Sequence, residues 1–481
     1  MSNLKQKTKI GIFWNIIEKI AVQGVGFVLN IILARLLTPH DYGIVGMLTI
    51  FLTFSNVFVD SGFSRALIQK QDRTEIDYST TLIFNIVISV ALYLILFFAS
   101  PAISKFYKIP ELLNLQRVLF LVVILNSLTV VQNAKLQINV DFKSIAIINS
   151  ATVILSGLIA IIAAYNGLGV WALVIQSLSK SLISIIMFWV IGKWIPKTGF
   201  SKKSFANLFS FGSKLLFSGL LSTTITNVYN FIIGKVYSPS NLGYFTRAQQ
   251  FPELTSGTIA SVLNTTTFPL MSSLQNNKDE LANVLRRLIK ITAMFVFPAM
   301  IGLACLSKPI ILVLLGEKWL PAADLLFWLS LSYIFTPLSI LNMNVLNAIG
   351  RSDLFLKIDL IKVPFIILTI FITFPISLKV IVIGKAITAF LWFYINGFLI
   401  GKFYNFGAIK QLVVSWKYII SACIMGICVF FIDKFILSDL LSLVVGLFTG
   451  ISIYILCLFF LKDSEFFSLI KSIKGKIKCK K

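Results

Sequence analysis

The stretch Asn30-Ile-Ile-Leu-Ala-Arg-Leu-Leu-Thr-Pro-His-Asp-Tyr-Gly43 closes one apolar segment and opens the next. It returns two hundred positions later as Asn230-Phe-Ile-Ile-Gly-Lys-Val-Tyr-Ser-Pro-Ser-Asn-Leu-Gly243. Asn30, Ile32, Pro39 and Gly43 recur unchanged, while Arg35 becomes Lys235, Thr38 becomes Ser238 and Asp41 becomes Asn241. Matches in Ile and Leu are cheap in an apolar chain. Chemically similar residues held in register across a helix end and a tight turn are not, and they indicate a duplicated membrane unit.

The flanking sequence agrees. Of 481 residues 57% are hydrophobic and 13% charged, with a mean hydropathy of +0.90, which places the chain among polytopic membrane proteins. At about 20 apolar residues per crossing, spans are expected near 10–36, 42–67, 80–99, 112–132, 145–164 and 169–191, then 206–235, 243–272, 289–306, 323–348, 355–375 and 380–400, and finally 411–432 and 438–461. This makes an all-α protein of about fourteen crossings, both termini on the cytoplasmic side. Numbered this way, Lys and Arg concentrate in the connections on the side of the N-terminus. The first segment, from Ile10, is too long for a signal-peptide core and is expected to remain as a span. The organisation reads as six-helix lobes over 1–200 and 201–405, two additional helices over 406–462 and a basic tail over 463–481. Each lobe holds an even number of spans, so the repeat is parallel rather than inverted. Ser100-Pro101 after the third span and Ser307-Lys308-Pro309 after the ninth echo each other, each opening an outer connection.

Composition also excludes. The net charge of +24 is scattered between apolar spans with no hydrophilic domain to gather it, so nucleic acid is not the expected partner. Every Gly-Lys pair is followed by Trp, Val, Ala, Phe or Ile, so none is a phosphate-binding P-loop. His40 is the only histidine, which removes His-based metal sites and proton relays. Cys305, Cys423, Cys428, Cys457 and Cys479 show no Cys-x-x-Cys spacing and imply neither disulfide nor metal. Secondary transport remains. A membrane-embedded sugar-transferring enzyme is the alternative, but the longest outer connection runs only from about Ser307 to Pro321.

Charged groups inside a bilayer cost about 2.5–3.5 kcal/mol each on insertion scales and usually face a protein interior or a water-filled cavity. Lys19 on the first span and Lys214 on the seventh fall at similar depth, roughly 12–14 Å from the cytoplasmic surface. With Arg247, Lys235 and Arg35 they form a candidate cationic lining suited to a pyrophosphate, since Lys and Arg supply charge-assisted donors to phosphate oxygens. The bland readings are that Lys19 balances Glu18, and that Arg35 and Lys235 are interfacial anchors. Glu18, Glu253 and Asp60 are the candidates for carrying a coupling ion, because a buried carboxylate binds a proton or sodium in one state and releases it in another. Arg65 lies five residues after Asp60 as its simplest partner. The tail from Lys471 to Lys481 is basic enough to bind anionic lipid.

At this point the chain resembles the polysaccharide (O-antigen or Wzx-type) flippases of the multidrug/oligosaccharidyl-lipid/polysaccharide (MOP) exporter superfamily. The resemblance rests on Arg35-Leu-Leu-Thr-Pro-x-Asp-Tyr-Gly43, Gly62-Phe-Ser-Arg-Ala-Leu-Ile-Gln69, Gly167-x-Gly-Val-Trp-Ala-Leu173, Leu242-Gly-Tyr-Phe-Thr-Arg-Ala248 and Leu315-Gly-Glu-Lys-Trp-Leu-Pro-Ala322, in that order. It implies two pseudo-symmetric six-helix lobes in a V around a central cavity and alternating access. The implied substrate is an undecaprenyl-pyrophosphate-linked oligosaccharide, moved across a bacterial cytoplasmic membrane for cell-surface polysaccharide or lipopolysaccharide synthesis. Pathway glycosyltransferases and a polysaccharide polymerase are the implied partners; no cofactor is implied beyond a coupling ion, H+ or Na+. Relatives often carry an acid where this chain has Tyr229, so that acid's role does not carry over. A multidrug or amphiphile exporter on the same fold is the other alternative. The span order makes a direct prediction: Asn241→Cys is labelled by an impermeant maleimide from outside the cell, and Asn277→Cys only after permeabilisation. The reverse pattern overturns the order.

Overall fold

The computed structural model describes residues 22–60, 62–468 and 471, and all regular structure among them is helical. The chain packs as two units, Met1–Gly243 and Tyr244–Lys481. In the first, α1 (Val22–Leu36) leads through a two-residue turn into α2 (Pro39–Asp60), followed by α3 (Phe63–Gln69), α4 (Glu75–Tyr107), α5 (Leu112–Leu119), α6 (Leu121–Ser127), α7 (Val130–Ile138), α8 (Phe142–Tyr165), α9 (Val170–Gly192) and α10 (Lys202–Val236). The α2–α3 break is at Gly62, whose φ of 70° is left-handed and favours glycine. A Cβ there would come within 2.7 Å of the Gly212 carbonyl oxygen on α10. Phe63 then starts α3 inside a core with Leu67, Leu82, Val131 and Leu208.

The polar interval after α9 is fastened to this unit. The Trp194 indole Nε1 donates to Glu75 Oε2 at 2.7 Å, the Gln132 side chain donates to the Trp194 carbonyl at 2.8 Å, and the Ser201 backbone N–H donates to Thr80 Oγ1 at 3.1 Å. Buried Asp77 accepts from Lys70 at 2.8 Å and from the Ser204 hydroxyl on α10. These attachments explain why α10, at the head of the second repeat in the duplication reading, packs with the first unit. The expected end of the third span near 99 also moves: α4 runs through Pro101 to Tyr107. Ser100-Pro101 therefore lies inside a helix and opens no connection, and Gln116 Nε2 donates to the Ser100 carbonyl at 2.6 Å.

Helix α11 (Pro239–Ser273) crosses the division at Gly243. The second unit continues with α12 (Lys278–Cys305), α13 (Ser307–Leu314), a 3-10 turn (Glu317–Trp319), α14 (Pro321–Tyr333), α15 (Thr336–Ala348), α16 (Ser352–Thr373), α17 (Leu378–Tyr404), α18 (Ala408–Val414), α19 (Trp416–Phe435) and α20 (Asp439–Phe460). The Tyr454 hydroxyl of α20 donates to the Met294 carbonyl of α12 at 2.7 Å. The buried amides of Asn342 and Gln411 exchange two hydrogen bonds, of 3.1 and 2.8 Å. These buried polar groups are paired, as an apolar surround favours, whereas Thr292 Oγ1, Asn396 Oδ1 and Ser421 Oγ are buried with no hydrogen-bond partner.

Among the described residues 11 helical segments are long and apolar enough to cross a membrane, with Val22–Leu36 and Leu360–Thr373 as shorter apolar helices. All thirteen match expected spans. The remaining expected span, 243–272, falls on α11, which is 35 residues long but is not among the eleven; it carries Arg247, Glu253 and many Ser, Thr, Asn and Gln.

The duplicated stretch has a structural meaning. Thr38 caps α2: its backbone N–H donates to Asp41 Oδ2 at 2.8 Å and the Asp41 N–H donates to Thr38 Oγ1 at 3.3 Å, with Pro39 first in the helix. At the second copy the Asn241 N–H donates to Ser238 Oγ at 3.3 Å. The two turns pack against each other, all within the first unit. A Cβ on Gly43 would overlap the Pro239 carbonyl and lie 2.9 Å from Pro239 Cα; one on Gly243 would overlap the Pro39 carbonyl and lie 3.2 Å from Pro39 Cα. Because backbone meets backbone, no rotamer relieves the clash. Gly43→Ala and Gly243→Ala are each expected to cost about 1–3 kcal/mol by overpacking, lowering the thermal midpoint of purified protein, whereas Gly257→Ala, with nothing within 4 Å, leaves it unchanged apart from a small helix-propensity gain. Equal midpoints for all three overturn the contact.

Candidate functional site

Two polar places stand out, one in each unit. In the first, Thr53, Asn56, Val57 and Asp60 recur along α2 at the spacing of one helical face, and Leu215, Ser218, Gly219 and Ser222 do the same along α10. Between these faces lies a cavity of about 510 Å³ that Gly62 and Arg65 also line. Asp60 is half-buried and its carboxylate accepts from the backbone N–H of Ser64. Arg65, the partner expected from spacing, attracts it electrostatically, though no ion pair within 4 Å is seen between these two described residues. Asn56 reaches inward through the Asn126 amide, which donates to Asn56 Oδ1 at 3.2 Å and accepts from the Ser181 hydroxyl at 2.8 Å. A separate cavity of about 480 Å³ is apolar, with Ile50, Phe54 and Phe58 of α2 facing Leu92 of α4 and Phe231 of α10.

In the second unit, Lys385 of α17 is half-buried. Its ammonium donates to Gln249 Oε1 at 3.1 Å, and Gln249 Nε2 donates to Glu253 Oε2 at 3.3 Å. One amide therefore bridges a cation and a carboxylate. The ammonium also lies 5.3 Å from the centre of the Phe245 ring and 5.4 Å from that of Tyr333, close enough for cation–π attraction.

Of the residues singled out in the sequence, Glu18 and Lys19 lie outside the described residues. Lys214 is exposed on α10, beside Leu215 of the cavity wall but not part of the lining. Lys235 on the same helix binds the Phe106 carbonyl, with its ammonium 3.7 Å from the centre of the Phe106 ring. Residues 214 and 235 are separated along the axis by about 32 Å, so the two ammoniums do not share one ligand in this structure. Arg35 is exposed near the end of α1. Arg247 donates to Gln250 Oε1 at 2.7 Å, one turn before Glu253. Asp60 is brought to a cavity, and Glu253 to a cation.

In the sequence Gly384-Lys385 reads only as a failed P-loop, although a lysine five residues into the apolar span 380–400 is itself the signal. Asn56 and Ser222 carried none, since single polar residues in long helices are common.

A family model described as "Polysaccharide biosynthesis protein" matches residues 32–324. The teichuronic acid biosynthesis protein TuaB of Bacillus subtilis is 27% identical over 356 residues, 74% of this chain and 74% of that protein. The succinoglycan biosynthesis transport protein ExoT of Rhizobium meliloti is 25% identical over 345 residues, 70% of this chain and 68% of that one. Among solved structures, the lipid II flippase MurJ in an inward closed conformation superposes with a TM-score of 0.77 at 17% identity, covering 94% of this chain and 99% of that one, a likeness of fold. With its family match spanning more than half the chain, on a helical multi-pass membrane fold, this protein belongs to the polysaccharide biosynthesis protein family.

Proposed function

We propose that the protein is a secondary transporter that flips undecaprenyl-pyrophosphate-linked oligosaccharide from the inner to the outer leaflet of a bacterial cytoplasmic membrane by alternating access, leaving the glycan chemically unchanged. The observation that carries this is the family match over residues 32–324. It is supported by relatives named for polysaccharide biosynthesis and transport and by the fold of a lipid II flippase. Physics asks for such a device: a pyrophosphate and a hydrated glycan have to pass about 30 Å of hydrocarbon. Polar groups placed along otherwise apolar helices provide an aqueous route while the polyprenyl tail stays in lipid. Lys19, Lys214, Arg247, Arg35 and Lys235 serve the anionic head group at successive points of its passage in this reading, Lys214 and Lys235 not at once, with Lys385 added from the structure. Glu253, and with it Asp60 and Glu18, carry the coupling proton or sodium ion. Glu253 is favoured because the Gln249 bridge ties its charge to Lys385, so protonation of one end is felt at the other.

Purified protein in liposomes is expected to translocate a lipid-linked oligosaccharide of unchanged mass. A changed mass identifies a transferring enzyme; preference for a small cationic amphiphile over the glycolipid identifies an exporter. Lys214→Ala is expected to lower glycolipid translocation about tenfold to a hundredfold, the loss of one charge-assisted interaction of about 1.5–3 kcal/mol, with normal abundance in the membrane and better rescue by Arg than by Gln. Full translocation by Lys214→Ala removes Lys214 from the phosphate-binding set.

A further inference from the structure

We infer that the cavity between α2 and α10 is a sugar-recognition subsite that reads the neutral glycan of the substrate rather than its pyrophosphate. The inference rests on the flippase reading for the identity of the glycan, and on the cavity for the chemistry. At about 510 Å³ the space falls within the range of about 300–1,000 Å³ typical of small-ligand sites. Its lining balances polar with apolar groups, Val57, Leu215 and Leu216 among the latter, and a sugar ring likewise presents hydroxyls at its edge and C–H groups on its faces.

The hydrogen-bonding capacity of the wall is set by its surroundings. Ser181 donates to Asn126 Oδ1, which commits the Asn126 amide nitrogen to Asn56 Oδ1 and leaves Asn56 Nδ2 as a donor toward the cavity that Asn56 lines. The Thr53 hydroxyl donates to the Thr49 carbonyl at 2.8 Å, so only its oxygen lone pairs remain, as an acceptor. Asp60 is an acceptor when ionised, with Ser64 N–H serving one of its several lone-pair sites. Arg65 is a donor. Along α2 and into α3 the wall therefore alternates acceptor, donor, acceptor and donor at Thr53, Asn56, Asp60 and Arg65, and the Ser218 and Ser222 hydroxyls opposite do either. A row of vicinal hydroxyls, each able to give one proton and accept another, matches that alternation. A pyrophosphate matches it less well: it brings only acceptors, so it can pair with Arg65 but offers nothing to the acceptor at Thr53, and Asp60 repels it.

The test uses full-length protein in detergent and, as probe, the oligosaccharide released by mild acid from lipid-linked glycan of the producing cells. Wild type and Phe54→Leu, which alters the separate apolar cavity, are expected to bind the free oligosaccharide equally, while Asp60→Asn and Asn56→Ala bind it about tenfold more weakly or worse. Ser181→Ala, outside the cavity, weakens binding by releasing the Asn126 amide, a loss that a merely local role for Asn126 does not produce. Inorganic pyrophosphate does not compete. Should Asp60→Asn fail to fold, Ser222→Cys replaces it, and the oligosaccharide is expected to protect that thiol from a maleimide. Unweakened binding by both cavity variants, absence of protection, or competition by pyrophosphate overturns the subsite. If wild type binds the oligosaccharide but moves no glycolipid in liposomes, the flippase reading falls and the subsite stands; if it moves glycolipid but binds no free oligosaccharide, the subsite falls alone.

Discussion

Two glycines seated on the carbonyls of two prolines determine how the first unit is put together. Gly43 and Gly243 each sit where a side chain would enter the other turn's backbone, so α2 and the start of α11 meet without intervening side chains. That proximity requires both turns to be tightly wound, which the Thr38–Asp41 cap and its Ser238–Asn241 counterpart secure. Proline first in each helix lacks the N–H that would otherwise need a partner. The recurring residues of the duplicated stretch are therefore those the contact needs: the cap, the proline and the glycine. Thr and Ser exchange because either hydroxyl caps, and Asp and Asn exchange because each can sit three residues after the cap.

A second constraint is that apolar surroundings do not forgive an unpaired polar group. At three places the structure meets it with short relays of amides and hydroxyls: Asn342 with Gln411, Asn56 with Asn126 and Ser181, and Gln249 between Lys385 and Glu253. These relays hold their members in one orientation. Where a relay ends at a cavity wall, as at Asn56, the last group offers a donor of defined direction at low further entropy cost. The polar interval after α9 obeys the same logic, for its attachment to Glu75, Asp77, Thr80 and Gln132 ties α10 to the first unit.

Helix positions, the membrane setting and the two helix-opening turns of the repeated stretch were legible in the sequence, because each depends on composition and spacing within one segment. Long apolar runs bury or face lipid along their own length, and a cap acts across only three residues. The end of α4 was not legible: Pro101 reads as a boundary locally, yet the helix continues past it to Tyr107. Placement of the α10 helix was likewise hidden, since the sequence marks where a repeat begins but not which neighbour its first helix packs against. Glycine in Gly62-Phe63 signals a break, and only the approach of Gly212 shows what that break admits.

The functional side chains divide along the same line. The sequence by itself placed Asp60 and Lys214 on long apolar helices, since position along a helix follows from residue count. What each charged group touches was decided by tertiary structure. Lys235 turns to the Phe106 carbonyl, Glu253 reaches Lys385 through Gln249, and Asp60 shares a cavity with residues more than a hundred and fifty positions away on α10. Those pairings depend on which face of one helix meets which face of another, and the rotation of a helix about its own axis follows from packing against its neighbours, not from the residues between its ends.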